Sequence, residues 1–302
     1  MDASWVDSRR LSRRLRRPPG GDTEIPGIRH LDCDLARVRL LVRGSGPWTV
    51  VLAADPPNVI EHHLELIELL AQDLRVICLE LPGFGFSFPK KEYRFTIDDI
   101  ASVLDQLLTR LDMKPYVLAL SCVAGLAALK LAHDRPDLAA RLVTIQTPAR
   151  DEAVKWARRV DFKGVLATPY VGQIVAAAGK DRLAAGWYRA VLGETESRAY
   201  LARARESFRH GAVYCLASAF QALKRPETAE LSRLAVTQPA LCVWGAADRS
   251  HRRTDRASIL RNTPGGRLVE IEGAGHFPEL EEAARFRRHL LEFLGMSEGN
   301  RT

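Results

Sequence analysis

What this chain has little of narrows it first. No apolar run reaches the roughly 18–20 residues that a membrane-spanning helix needs. The uncharged stretch 165–179 is too short and holds Pro169 and Gln173. Five cysteines in 302 residues, none at paired spacing, exclude a disulfide scaffold. They point to a reducing compartment, expected to be the cytoplasm. No cysteine or histidine cluster has metal-ligand spacing, so no metal is expected. Gly83-x-Gly85 lacks the downstream pattern of a nucleotide loop, and no cofactor is implied. The Arg-rich head is followed by no apolar segment, which argues against a secretory signal.

Surplus charge of one sign is also scarcer than the total suggests. The net charge is +7, but residues 1–20 hold six arginines against two aspartates, leaving only +3 on the remainder. A nucleic-acid footprint would set the excess along a folded face, so no nucleic-acid partner is expected. Residues 1–24 read as a flexible, solvated Arg-rich tail. His251, standing among Arg249, Arg252 and Arg253, reads as a surface residue. That basic loop could meet an anionic substrate tail. His62 and His63 read as a solvated helix face.

What is present is an alternation. Apolar strand-like runs at 28–33, 38–42, 48–53, 75–81, 116–120 and 142–145 are separated by helical patterns, one of them opening at Thr96 with an N-cap signal. Strands resume at 240–244 and 268–271, with helices at 255–261 and 278–294. Between 148 and 234 the strand rhythm stops and the pattern is helical, including an amphipathic helix over 213–223. Alternating strands and helices call for a mostly parallel sheet of about eight strands with helices on both faces. The economical organisation is a core of 25–147 and 235–298 with an inserted helical cap at 148–234.

One corner is chemically pointed. An apolar strand ends at Leu120, and a small-residue helix follows from Leu126. Leu120, Cys122 and Ala124 stand where a nucleophile elbow carries Gly-x-Ser-x-Gly. A helix N-terminus and a nearby imidazolium lower a cysteine pKa, so Cys122 is expected to be largely thiolate at neutral pH. Cys33, Cys78, Cys215 and Cys242 read as small core residues. Downstream, Asp248 follows the strand ending Trp244-Gly245-Ala246-Ala247. His276 sits in Gly273-Ala274-Gly275-His276-Phe277.

The order nucleophile, acid, base resembles the α/β-hydrolase superfamily. Trp-Gly-x-x-Asp and Gly-x-Gly-His are similar to its acid and histidine loops. Glu80-Leu81-Pro82-Gly83-Phe84-Gly85-Phe86-Ser87 looks like its Asp-x-x-Gly-x-Gly-x-Ser segment, with Glu80 for Asp. The resemblance covers residues 28–295 and implies an α/β-hydrolase-like fold with Cys122, His276 and Asp248 as catalytic residues. Asp151 is the fallback acid, and Asp248 could instead cap the helix that follows it. Aligning 48–70 with the superfamily's His-Gly-x-Pro loop sets Ala54 and Asp55 at His-Gly and Pro56 at the residue whose N–H meets the oxyanion. Proline has no N–H. The N–H of Val123 survives, and Asn58 is the candidate replacement donor.

The expected function is therefore an enzyme acting on an ester, thioester or lactone through an acyl-Cys intermediate. Its partner would be a small acyl substrate, carrier- or CoA-linked forms included. An acyltransferase, a cyclase or lyase using His276 as base, and a non-catalytic binding protein on the same fold stay open.

Overall fold

The computed structural model describes residues 3–16 and 25–296. Among the described residues the main sheet has nine strands, eight of them in one ordered path: β1 (Ile28–Asp32), β2 (Ala36–Arg43), β3 (Thr49–Ala54), β4 (Arg75–Glu80), and, further along the chain, Tyr116–Ser121, Ala139–Ile145, Ala240–Gly245 and Arg267–Ile271. Counting the two-residue strands β5 (Phe84–Gly85), β6 (Phe88–Pro89) and β9 (Val213–Tyr214), the later four are β7, β8, β10 and β11. The order is β1-β2-β4-β3-β7-β8-β10-β11, with β6 added to β2. β2 runs antiparallel to β1 and β4, and every pairing from β4 to β11 is parallel. Both faces are covered, so the central strands alternate between two apolar cores. Val51, Leu118 and Leu120 face one, while Val50, Leu52, Val117 and Ala119 face the other.

The helices are α1 (Ser4–Ser12), α2 (Leu64–Leu70), α3 (Ile97–Leu111), α4 (Cys122–Asp134), α5 (Arg150–Val160), α6 (Val171–Val191), α7 (Glu194–Arg209), α8 (Leu216–Leu223), α9 (Pro278–Glu281) and α10 (Ala283–Leu294). Thr96 caps α3 as its sequence announces. Its hydroxyl accepts from Asp99 N at 3.0 Å, and Asp99 accepts in return from Thr96 N at 3.3 Å. That reciprocal box satisfies two donors that a helix start leaves open. Between β8 and β10 the chain runs through α5 to α8, and β9 pairs only with β5, away from the main sheet.

Three local expectations need correction. The head, read as a flexible tail, holds α1, which packs on α8; residues 1–2 and 17–24 of that tail lie outside the described residues. The buried positions of α1 are Ser4, Asp7, Ser8 and Leu11, an i, i+3, i+4, i+7 helical face filled mostly by polar residues. Hydrophobic periodicity cannot see such a face. Its polar atoms are satisfied: Ser218 Oγ donates to Asp7 at 2.8 Å, and Ala3 N donates to Gln221 Oε1 at 3.0 Å. Next, 213–223 is not one helix, because Val213 and Tyr214 pair with Gly85 and Phe84 before α8 begins, leaving Cys215 at its N-cap. Third, His62, His63 and His251 are all buried rather than solvated.

Candidate active site

The site is assembled where the parallel strands end. β7 stops at Ser121, and Cys122 turns the chain into α4 with φ +52°, the left-handed region that L-residues rarely occupy. A non-glycine residue held there marks a corner that the surroundings enforce. The enforcing contact is close. A Cβ on Gly125 would collide with Thr147, whose hydroxyl donates to Cys122 O at 3.0 Å.

Asp248 and His276 arrive on neighbouring loops after β10 and β11. Gly245 is required between them, since a Cβ there would overlap the carbonyl oxygen of Gly275. Glu281 fastens the histidine loop by accepting from Gly275 N and Phe277 N, both at 2.9 Å. His276 Nδ1 lies 2.7 Å from Asp248 Oδ2. The Asp248 carboxylate is held in turn by Ser250 N at 2.7 Å and by Gln146 Nε2 at 2.7 Å. Gln146, itself at φ +50°, uses its Oε1 to accept from Gly245 N at 2.7 Å. Sequence reading missed this positioning residue. An isolated glutamine after a strand carries no signal until the two loops are brought together.

The second residue missed is Asp55. Its Oδ2 lies 3.3 Å from His276 Nε2, within ion-pair range but out of line for a hydrogen bond. Donor atoms of Asp55, Cys122 and His276 all fall within 4.8 Å of one another. His276 thus stands between two carboxylates. Burial draws its pKa down, but Asp248 and Asp55 more than offset this and hold it well above the ordinary imidazole value. Asp248 lies well below the usual carboxylate range. Burial pushes it up, and the charge and hydrogen bond of His276 pull it further down. Cys122 runs against the expectation of a thiolate. Burial and the Asp55 carboxylate push its pKa up, against a smaller lowering by His276 and the Val123 N–H. A corner enclosed by α4 and the helices facing it is too dry for the helix terminus to prevail.

The thiol opens on a cavity of about 660 Å³. Asp55, Pro56, Val123 and Ala124 line it near the thiol, and most of the remaining lining is apolar. Pro56 and Val123 thus line the same cavity as Cys122. Asn58 is not part of the lining, because its Oδ1 accepts from the Tyr188 hydroxyl at 2.9 Å. Asp151, the fallback acid, pairs instead with Arg261 at 2.6 Å. Arg249 lines the cavity but spends its guanidinium on the carbonyls of Arg189, Ala190 and Leu192 at the end of α6. His251 stacks on Trp156 at 5.0 Å between ring centroids, and burial lowers its pKa to about 3.

Two groups bring three potential metal donors together: Asp55, Cys122 and His276, and Asp248, His251 and His276. Asp55, Cys122 and His276 are far apart in the chain, and in the second group His276 lies 28 positions beyond Asp248, so sequence spacing did not reveal either group. In the second, His276 Nδ1 and Asp248 are already bonded to each other.

Comparison with known proteins agrees with this architecture. A model of the alpha/beta hydrolase fold matches residues 57–283. The chain is 26% identical over 260 residues to a Pseudomonas putida dihydrolipoyllysine-residue acetyltransferase component of the acetoin cleaving system, covering 83% of this chain and 64% of that protein. It therefore spans less than two thirds of that relative's length. It is 23% identical over 285 residues to haloalkane dehalogenase 2 of Mycobacterium tuberculosis, covering 88% and 94%. It is 26% identical over 234 residues to a pimeloyl-[acyl-carrier protein] methyl ester esterase of Neisseria meningitidis, covering 76% and 86%. Among solved structures, epoxide hydrolase A of Mycobacterium thermoresistibile superposes with a TM-score of 0.74 at 19% identity, covering 90% and 98%. On the family match and the sheet together, this chain belongs to the alpha/beta hydrolase fold family.

Proposed function

We propose that this chain is an enzyme of the hydrolase class acting on a small, largely apolar ester, thioester or lactone. Cys122 is the nucleophile, His276 the base and Asp248 the carboxylate that orients the histidine. The observation that carries this reading is the strained Cys122 lining a largely apolar cavity, beside a buried His276–Asp248 pair at 2.7 Å. A nucleophile, an oriented base and a shaped cavity are what acyl transfer through a covalent intermediate requires. The similarity to an esterase and a dehalogenase supports the hydrolase class.

In this mechanism the Cys122 thiol loses its proton as it attacks the acyl carbon, the alcohol or thiol leaves protonated, and water then resolves the acyl-Cys122. Asp248 keeps Nδ1 protonated, so Nε2 is the nitrogen that exchanges protons with thiol, leaving group and water. The Val123 N–H is one oxyanion donor. A second reading, general acid–base chemistry of a lyase or cyclase, is favoured by one observation: Asp55 sets a carboxyl group beside His276 Nε2, where an acyl oxyanion would need donors.

Trapping separates the two. After exposure to p-nitrophenyl butyrate, intact-mass analysis should find one butyryl group on the protein. Cys122→Ala should lose both the adduct and the p-nitrophenolate release, and Cys122→Ser should keep a trace. Undiminished turnover in Cys122→Ala would refute the nucleophile and favour the acid–base reading.

A further inference from the structure

The oxyanion loop of this protein has lost one donor and gained an acid. Pro56 lines the cavity with no N–H to offer, and Asn58, whose Oδ1 accepts from Tyr188 and whose Nδ2 has no partner among the described residues, is not in the lining. Losing one oxyanion donor typically costs about 10²–10³ in rate. The residue just before Pro56 is Asp55, and its carboxyl group lines the cavity beside Cys122 and Val123. An oxygen of this group lies within 4.8 Å of the Cys122 sulfur, and its Oδ2 is 3.3 Å from His276 Nε2. An oxygen two bonds away from that sulfur, as in the oxyanion of a Cys122 adduct, comes within a hydrogen bond's reach of this group when it points toward Asp55.

As a carboxylate, Asp55 would repel that oxyanion; as a carboxylic acid it would donate to it. We propose that Asp55 is a further catalytic residue, which takes up the proton that Cys122 gives up and, as the neutral acid, donates a hydrogen bond to the oxyanion in place of the missing Pro56 N–H. The inference rests on Cys122 acting as the nucleophile.

The proton count closes without any outside acid or base. The resting site holds a thiol, an imidazolium and a carboxylate. Once a small shift brings Nε2–H into line with Asp55 Oδ2, 3.3 Å away, His276 passes it that proton and takes the thiol proton at the same nitrogen. The result is a thiolate, an imidazolium and a carboxylic acid, with the same total charge. The thiolate sulfur then bonds the acyl carbon, and the carbonyl π electrons move to oxygen, facing Val123 N–H and Asp55 O–H. Collapse expels the leaving group with the imidazolium proton, and His276 recovers a proton from Asp55. A neutral carboxylic acid donating to an oxyanion is established chemistry in a dry site. The indole N–H groups of Trp156 and Trp187 also lack partners among the described residues. Those rings stand against His251 and His276 and also line the cavity, so Trp187 is the rival donor that the test includes.

The test compares Asp55→Asn and Asp55→Ala by pre-steady-state release from p-nitrophenyl butyrate. An amide N–H still donates, so Asp55→Asn should retain acylation within about tenfold of the parent at alkaline pH, while Asp55→Ala should lose about 10²–10³. The pH profile reports the proton. In the parent the reactive form has the resting charge, so acylation is level and then falls as pH rises. In Asp55→Asn the thiol must release its proton to solvent, so acylation rises with pH instead. The groups facing Asp55 are Cys122, His276, Glu279, Tyr188 and Tyr214, and all are unchanged by the substitution. A butyl trifluoromethyl ketone, which forms an oxyanion adduct with the thiol, should bind more weakly to Asp55→Ala by the same factor.

Equal inactivity of Asp55→Asn and Asp55→Ala would overturn the donor role and make the carboxylate a base. So would a stoichiometric bound metal that Asp55→Ala loses, or unchanged acylation in Asp55→Ala with loss in Trp187→Phe. Absence of any adduct on Cys122 in the parent would instead sink the nucleophile itself, and the inference with it.

Discussion

At the scale of single residues, the active-site end is crowded with groups whose protonation is set by burial. Glu279, the first full turn beyond His276, is fully enclosed and its Oε2 has no partner among the described residues. Burial pushes its pKa up from 4.5 to about 8, helped by the nearby Asp55 charge, while its own backbone N–H and His276 pull the other way. A folded pKa above the unfolded one means the folded state binds that proton more tightly. The stability this supplies is complete below about pH 4.5 and is lost as pH rises through about 8. Urea unfolding of the parent should therefore weaken across that window relative to Glu279→Gln, whose amide cannot ionise. Parallel curves for the two proteins would show that Glu279 does not titrate differently on folding. Gly125 and Gly245 are legible as punctuation in the sequence. That one of them yields to Thr147 and the other to the Gly275 carbonyl is a fact of the corner itself.

At the scale of elements, the loop between β4 and β6 is built on a buried ion cluster. Arg39 of β2 is fully enclosed and donates to Glu80 at 2.7 Å and to Glu61 at 2.7 Å. Glu80 also accepts from Phe86 N at 2.6 Å and Ile60 N at 3.1 Å, tying the loop that enters the cavity wall to the segment before α2. A Cβ at Gly85 would strike this carboxylate, which is why the Gly-x-Gly spacing follows Glu80. Removing one member of a buried ion set strands the other charges, at a cost of about 3–5 kcal/mol. Arg39→Leu should lose that much in urea unfolding, and combining it with Glu61→Leu and Glu80→Gln, whose amide oxygen can still accept from the backbone, should recover part of it. If the single change costs no more than an exposed arginine would, the cluster is solvated in solution. The Glu-x-x-Gly-x-Gly-x-Ser motif is visible in the sequence. Its partner Arg39 is not, because β2 lies 41 positions earlier and its arginine alternates with apolar residues as a solvent-facing one would.

At the scale of the whole molecule, the face of α8 opposite its α1 contacts forms part of the cavity wall, through Leu216, Ala219, Phe220 and Leu223. Helix α1 thus backs the cavity wall and is not itself part of the lining. A space of about 660 Å³ suits a small ligand with an apolar body. If acyl chains occupy it, each added methylene buries about 0.8 kcal/mol. Along p-nitrophenyl esters from butyrate to octanoate, kcat/KM should then climb by up to about fourfold per methylene. A flat series would mean that the acyl group lies elsewhere. Among the described residues no helix is long and apolar enough to cross a membrane.

The alternation of strands and helices, the parallel sheet and the strand-to-helix corner at Cys122 were all legible in the sequence. Each is a local matter of periodicity, propensity and punctuation, and each is written within about twenty neighbouring residues. The three loops ending at Cys122, Asp248 and His276 could be named for the same reason. What the tertiary structure decided is which groups share a dry space. It set Asp55 against His276, Gln146 against Asp248, and polar Ser4, Asp7 and Ser8 against α8. It also made Cys122 a thiol rather than a thiolate, since burial and one remote carboxylate outweigh the helix terminus. Hydrogen bonds and charges act over a few ångströms of space and take no account of separation along the chain.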